Sequence, residues 1–194
     1  MIKKICAATA ALVLSSSLVA SDDYNIYLGA STGITNFGGS VDYTYDNGYT
    51  SHDYTYDVDT EDTPLKLKVG FLTRNDNRWG FYYKQDNINY ANSIGSGLDI
   101  TTYGLDGQIG FSSLKNDIVL PYIGWGIGFG SADEYDDTSV LEFDLSIGVN
   151  YTISNFELST SVYRRAIALY DADNTDSTYI YAFNGIEIGA GFKF

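Results

Sequence analysis

The sequence predicts an all-β protein: an eight-stranded, antiparallel, closed transmembrane β-barrel in up-and-down meander order. Three observations lead to that reading. Apolar and polar residues alternate with period 2 in eight separate segments. The connections between these segments alternate between short and long. Aromatic residues gather beside the short connections, where a bilayer interface would hold a girdle of them.

Residues 1–20 read as a secretory signal peptide that is cleaved, and 21–194 as one barrel domain. Lys3 and Lys4 supply the positive start. The apolar run from Ile5 to Leu14 is shorter than the ~20 residues a membrane-spanning helix needs. The single cysteine, Cys6, leaves with this leader, so no disulfide framework is expected. Loss of Lys3 and Lys4 takes Lys plus Arg from 11 to 9 against 25 Asp plus Glu, and the net charge from −14 to −16. Binding to phosphate backbones needs a basic surface, which excludes nucleic acid as a partner.

The elements follow in order. The first strand, about 24–35, sets Tyr24, Ile26, Leu28 and Ala30 against Tyr27, Gly29, Ser31 and Gly33. The second, 64–72, sets Leu65, Leu67, Val69 and Phe71 against Lys66, Lys68 and Gly70. In the third, 79–90, Trp79, Phe81 and Tyr83 oppose Gly80, Tyr82 and Lys84. Along the fourth, 99–111, Tyr103, Leu105, Ile109 and Phe111 oppose Gly104, Asp106, Gln108 and Gly110. The fifth, 119–130, alternates Ile123, Trp125, Ile127 and Phe129 with four glycines. The sixth, 140–151, puts Leu141, Phe143, Leu145, Ile147, Val149 and Tyr151 opposite Glu142, Asp144, Ser146, Gly148 and Asn150. In the seventh, 156–170, Phe156, Leu158, Thr160 and Val162 oppose Glu157, Ser159, Ser161 and Tyr163, with a bulge expected near Arg164-Arg165. The eighth, 179–194, ends in Ile186, Ile188, Ala190, Phe192 and Phe194 against Glu187, Gly189, Gly191 and Lys193.

Short connections fall at 73–78, 112–118 and 152–155, and longer polar ones at 36–63, 91–98, 131–139 and 171–178. Outer-membrane barrels have short periplasmic turns and longer external loops. Both chain ends then lie on the periplasmic side. A water-soluble barrel shows the same alternation with its faces reversed. The aromatic distribution decides between the two. Phe71, Trp79, Phe81, Phe111, Tyr151, Phe156, Phe192 and Phe194 flank the short turns, while Tyr90, Tyr103, Phe129, Tyr170 and Tyr179 lie towards the loops.

The polar face therefore points inward. The expected interior charges are Lys66, Lys68, Lys84, Asp106, Glu142, Asp144, Glu157, Glu187 and Lys193, with Arg165 or its neighbour Arg164 and with Gln108 beside them. Buried charges must pair, and an interior of eight strands is just wide enough for side chains to fill. An ion-pair filling is expected, and a wide pore is not.

The run Pro121-Tyr122-Ile123-Gly124-Trp125-Gly126-Ile127-Gly128-Phe129-Gly130 resembles the fifth-strand motif of small bacterial outer-membrane β-barrel proteins. That family includes the OmpA-like transmembrane domain and the opacity-type surface proteins. Tyr163-Arg164 is similar to their tyrosine–arginine pair, and Gly191-Phe192-Lys193-Phe194 resembles their terminal signal. The resemblance implies residence in the outer membrane of a Gram-negative bacterium. It also implies contact with outer-membrane lipid and lipopolysaccharide, and Phe192 and Phe194 read by the barrel-assembly machinery. This chain ends at the barrel, so peptidoglycan anchoring is not implied.

The loop 36–63 carries Asp42-Tyr43-Thr44-Tyr45-Asp46 and Asp53-Tyr54-Thr55-Tyr56-Asp57 around Asn47-Gly48, which suggests a hairpin. Tyrosine offers large contact area at low entropic cost, so a contact surface for a host or surface ligand is one reading of this loop, and a solvated extension of the first two strands is the other. Asp57, Asp59, Glu61, Asp62, Asp133, Glu134, Asp136, Asp137, Asp171, Asp173 and Asp176 make the loops acidic without an EF-hand spacing. No metal or cofactor site is assigned. Divalent ions bridging these carboxylates to lipopolysaccharide phosphates are an expectation for calorimetry. The one histidine, His52, stands between Ser51 and Asp53, where neighbours on an extended strand point to opposite faces, so no catalytic triad is expected. The expected function is structural or adhesion-like, in a monomer without catalysis. A small porin-like channel is the alternative, and a lipid A-modifying enzyme ranks below it.

Overall fold

Period-2 patterning needs partners for every strand edge, and the chain supplies them by closing one sheet on itself. The computed structural model describes residues 24–34, 39–46, 51–58, 64–73, 75–88, 98–111, 114, 118–133, 138–171 and 177–194. The expected leader lies outside these residues, as do Tyr90 and most of the acidic loop positions. Ten strands are present: β1 (Tyr24–Ile34), β2 (Gly39–Asp46), β3 (Ser51–Val58), β4 (Leu65–Thr73), β5 (Arg78–Ile88), β6 (Leu98–Gly110), β7 (Val119–Ala132), β8 (Thr138–Ile153), β9 (Phe156–Asp171) and β10 (Ser177–Lys193).

Eight of them, β1 and β4 to β10, pair each with the next, and β1 pairs with β10 to close the ring. That is the expected meander. The other two come from the loop 36–63 and pair Tyr43 with Tyr54 and Asp42 with Thr55, which is the expected hairpin. Its attachment is new. β10 has 17 residues, and β1 covers only Ile186 to Lys193 of it. β2 takes the remaining edge, from Phe183↔Gly39 to Ser177↔Tyr45. The hairpin thus continues the barrel wall instead of hanging from it.

The faces alternate as expected. Phe71, Trp79, Phe81, Phe111, Tyr151, Phe156, Phe192 and Phe194 are all exposed on the outside near the short turns. Tyr103, Phe129, Tyr170 and Tyr179 are exposed nearer the loops. Asp76 (φ 60°) and Ser154 (φ 56°) take left-handed backbone in two of the short turns.

One expectation fails. No bulge interrupts β9, because its register with β8 and β10 runs unbroken through Arg164↔Leu145 and Arg165↔Asp144. Parity is therefore fixed along the strand. Arg165 is buried inside, and Arg164 is exposed on the outer wall. A charge-lined interior accepts one of two adjacent arginines only, since neighbours on a strand point to opposite faces.

Candidate functional site

Lys66, Lys68, Lys84, Asp106, Glu142, Asp144, Glu157, Glu187 and Lys193 line the barrel in three tiers, joined by Arg165 of the Arg164-Arg165 pair. The tier nearest the loops holds Lys66, Lys84, Asp86, Glu142, Asp144 and Arg165. Arg165 Nη1 lies 2.7 Å from Asp86 Oδ1 and its Nε 3.0 Å from Asp144 Oδ1. Lys84 pairs with Glu142 and lies 3.2 Å from Asp86. Lys66 lies 3.5 Å from Asp144, with its ammonium 4.1 Å from the Tyr82 ring centroid. Tyr82 and Thr102 donate hydroxyl hydrogen bonds to Glu142, at 3.1 and 3.2 Å.

The middle tier is Lys68 with Glu187 at 2.9 Å and Asp106 at 3.8 Å. Nearest the short turns, Arg78 forks onto both oxygens of Glu157, and Lys193 reaches the same carboxylate at 3.0 Å. Among the described residues this comes to six cations and six anions. The described interior charges therefore balance.

Sequence reading missed two members, Arg78 and Asp86. Both continue the parity of Gly80, Tyr82 and Lys84, and following that phase to each end of the strand would have found them. It also missed a change of chemistry. Towards the long loops the interior turns apolar, with Leu98, Ile100, Ala132, Val140, Ile167, Leu169, Tyr181 and Phe183 buried together. Tyr181 and Phe183 stack at 6.2 Å.

Free space inside is small. The two cavities beside Lys68 hold about 20 and 10 Å³. A single water needs roughly 10–15 Å³. The inner-face glycines of β7 make room for larger neighbours. A Cβ on Gly128 would stand 2.2 Å from the Tyr82 hydroxyl. Gly128→Ala is therefore expected to displace Tyr82 from Glu142 and destabilise the fold by about 1–3 kcal/mol. Urea unfolding of the refolded protein measures this, and an unchanged midpoint would refute the packing argument.

Ser51, His52 and Asp53 follow one another on β3, and their side chains lie outside the described residues. Among the described residues no group of three or more His, Cys, Asp or Glu is placed to hold a metal ion.

A closed meander with an apolar outer belt and a charged, filled core restricts the family strongly. The family model of the outer membrane protein beta-barrel domain matches residues 5–194. The chain belongs to that family. Comparison with curated protein sequences finds no match. Among solved structures, this outer-membrane barrel is similar to Neisserial surface protein A at 12% identity and TM-score 0.50, covering 87% of this chain and 97% of that one. It also matches OprG from Pseudomonas aeruginosa at 14% identity and TM-score 0.48, covering 89% and 95%. A third match is the outer membrane protease OmpT from Escherichia coli, at 10% identity and TM-score 0.45, covering 88% and 97%. At such identities the likeness is one of fold. Family membership puts this barrel in the bacterial outer membrane, with Phe192 and Phe194 on its lipid-facing side at the short-turn end.

Proposed function

We propose that this outer-membrane barrel is a rigid scaffold for surface interaction, an adhesion-like role, and that the hairpin β2–β3 is its contact element. The observation that supports this most is the ladder from Gly39 to Tyr45 on the upper edge of β10. A hairpin hydrogen-bonded to the wall presents its residues in a fixed register. Binding then loses less conformational entropy than it would through a free loop.

Charge narrows the partner. The stretches 36–63, 91–98, 131–139 and 171–178 contain 14 Asp and Glu and no Lys or Arg. A partner with a basic patch fits them, and its attachment should weaken as salt rises. Replacing Tyr43, Tyr45, Tyr54 and Tyr56 with serine preserves the backbone of the hairpin. The expected result is a loss of at least about tenfold in attachment of cells displaying the protein to a basic host-surface ligand, as loss of interface anchors gives. Attachment unchanged by these substitutions, or by deletion of 40–60, would overturn the reading.

The porin-like alternative finds less support. A neutral ion network, an apolar layer above it and cavities of a few tens of cubic ångströms leave little path for ions. Steady single-channel openings in planar bilayers, abolished by altering Lys84 or Glu142, would favour it.

A further inference from the structure

Arg164 has no role in the interior network, and its position on the outer wall is unusual. Its cross-strand neighbours are Leu145 and Asn184. The next outward positions around it are Phe143, Ile147, Val162, Ala166, Ala182 and Ile186, none of them charged. Arg164 follows the turn residue Asn155 by nine positions. At ~3.3 Å per residue and a tilt of about 40°, that places it ~23 Å above the short turns. The apolar band of such barrels is about 25 Å tall. Arg164 therefore stands near the outer edge of the apolar band, within a side chain's reach of the head groups and close to the level of Tyr103 and Phe129. At or below this level it is the one charged side chain facing outward from the described strands.

An open groove of about 580 Å³ runs along the wall at this place, lined by Leu145, Ile147, Val162 and Ile186 with Arg164 and Asn184 at its rim. The apolar residues lie on the side towards the short turns, that is, towards the bilayer centre. A guanidinium and an amide within reach of the head groups, above an apolar channel, match the two ends of a phosphorylated lipid. Arginine holds phosphate through paired N–H donors. Among the described residues, Arg164 is the one cation outside the interior network. A phosphate at this level thus meets one cation on the described strands.

We propose that Arg164, Asn184 and this groove form a site for one phosphate-bearing glycolipid of the outer leaflet, its phosphate on Arg164 and an acyl chain along Leu145, Ile147, Val162 and Ile186. The site is independent of the loop hairpin. The alternative is an arginine that merely reaches up into water.

The test is native mass spectrometry of the refolded full barrel in maltoside micelles, titrated with diphosphorylated lipid A or with its dephosphorylated form. The wild type is expected to prefer the phosphorylated lipid by about tenfold, as a charge-assisted pair would give. Arg164→Leu should abolish the preference, and Arg164→Lys should keep part of it. Inorganic phosphate in millimolar excess should not displace the lipid. Equal binding of both lipids by the wild type would overturn the proposal, as would an undiminished preference in Arg164→Leu. Displacement by inorganic phosphate would overturn the lipid assignment. Arg164→Leu removes a charge from an apolar surface, and heat-modifiable migration on gels checks its fold. The wild-type comparison decides the question even if that variant fails to refold.

Discussion

Arg165→Met is expected to destabilise the folded barrel by about 3–5 kcal/mol, the range for removing one partner of a buried ion pair. Arg165 is 1% exposed and holds two carboxylates at once, Asp86 and Asp144. Without it, Lys66 and Lys84 face Asp86, Glu142 and Asp144, and one negative charge is left uncompensated inside the wall. Methionine keeps much of the side-chain volume, so the loss reports charge more than packing. Asp86→Asn in the same protein removes the surplus charge and should restore part of the stability, which a double-mutant cycle would record as coupling. The neighbour supplies the control. Arg164→Met removes an outward charge near the interface, where arginine costs only about 0–1 kcal/mol, so its midpoint should move little or rise. The measurement is urea unfolding in lipid vesicles, followed by the fluorescence of Trp79 and Trp125 on the outer face. Equal shifts for the two arginine variants would refute the assignment of Arg165 to the inside.

That contrast also marks the limit of what the sequence reveals. Nine interior charges were legible because period 2 separates the faces wherever one face is greasy and the other is not. In β4 from Leu65 to Phe71 and in β8 from Leu141 to Tyr151 this holds, and Lys66, Lys68, Glu142 and Asp144 fell into place. In β9 the pattern is lost at Arg164-Arg165-Ala166-Ile167-Ala168-Leu169, where both faces carry apolar residues above the arginines. Only the ladder to β8 and β10 fixes the phase there. The apolar upper interior was hidden for the same reason. Ile167 and Leu169 look like lipid-facing residues until their partners Glu142 and Val140 show them pointing inward. Register is a property of pairs of strands, and a single strand does not contain it.

The hairpin shows the other kind of limit. Its internal pairing was readable from two copies of one motif around Asn47-Gly48. Its docking was not, because it depends on the lengths of two strands far apart in the chain. β1 has 11 residues and β10 has 17, so the upper edge of β10 outruns its barrel partner. An unpaired edge invites another strand, and β2 is the strand at hand.

Excision of residues 39–58, with a short glycine–serine bridge in their place, should therefore loosen β10 in one half only. Seven register pairs, Ser177↔Tyr45 to Phe183↔Gly39, disappear. At ~0.5–1.5 kcal/mol net per backbone hydrogen bond, losing such a ladder should lower the local opening free energy by about 3–5 kcal/mol. Hydrogen exchange over 177–183 should then quicken by roughly two to three and a half orders of magnitude, since each 1.4 kcal/mol is a factor of ten. The half from Ile186 to Lys193 keeps β1 as its partner, so its protection should hold. Both halves keep β9 on the other side, which is why the barrel is expected to survive the excision. Uniform loss of protection along β10 would mean that the hairpin holds the whole barrel together. No change at all would mean that the hairpin hangs free. The same result separates two causes of lost attachment, because the tyrosine-to-serine protein should retain full protection at 177–183 and the excised one should not.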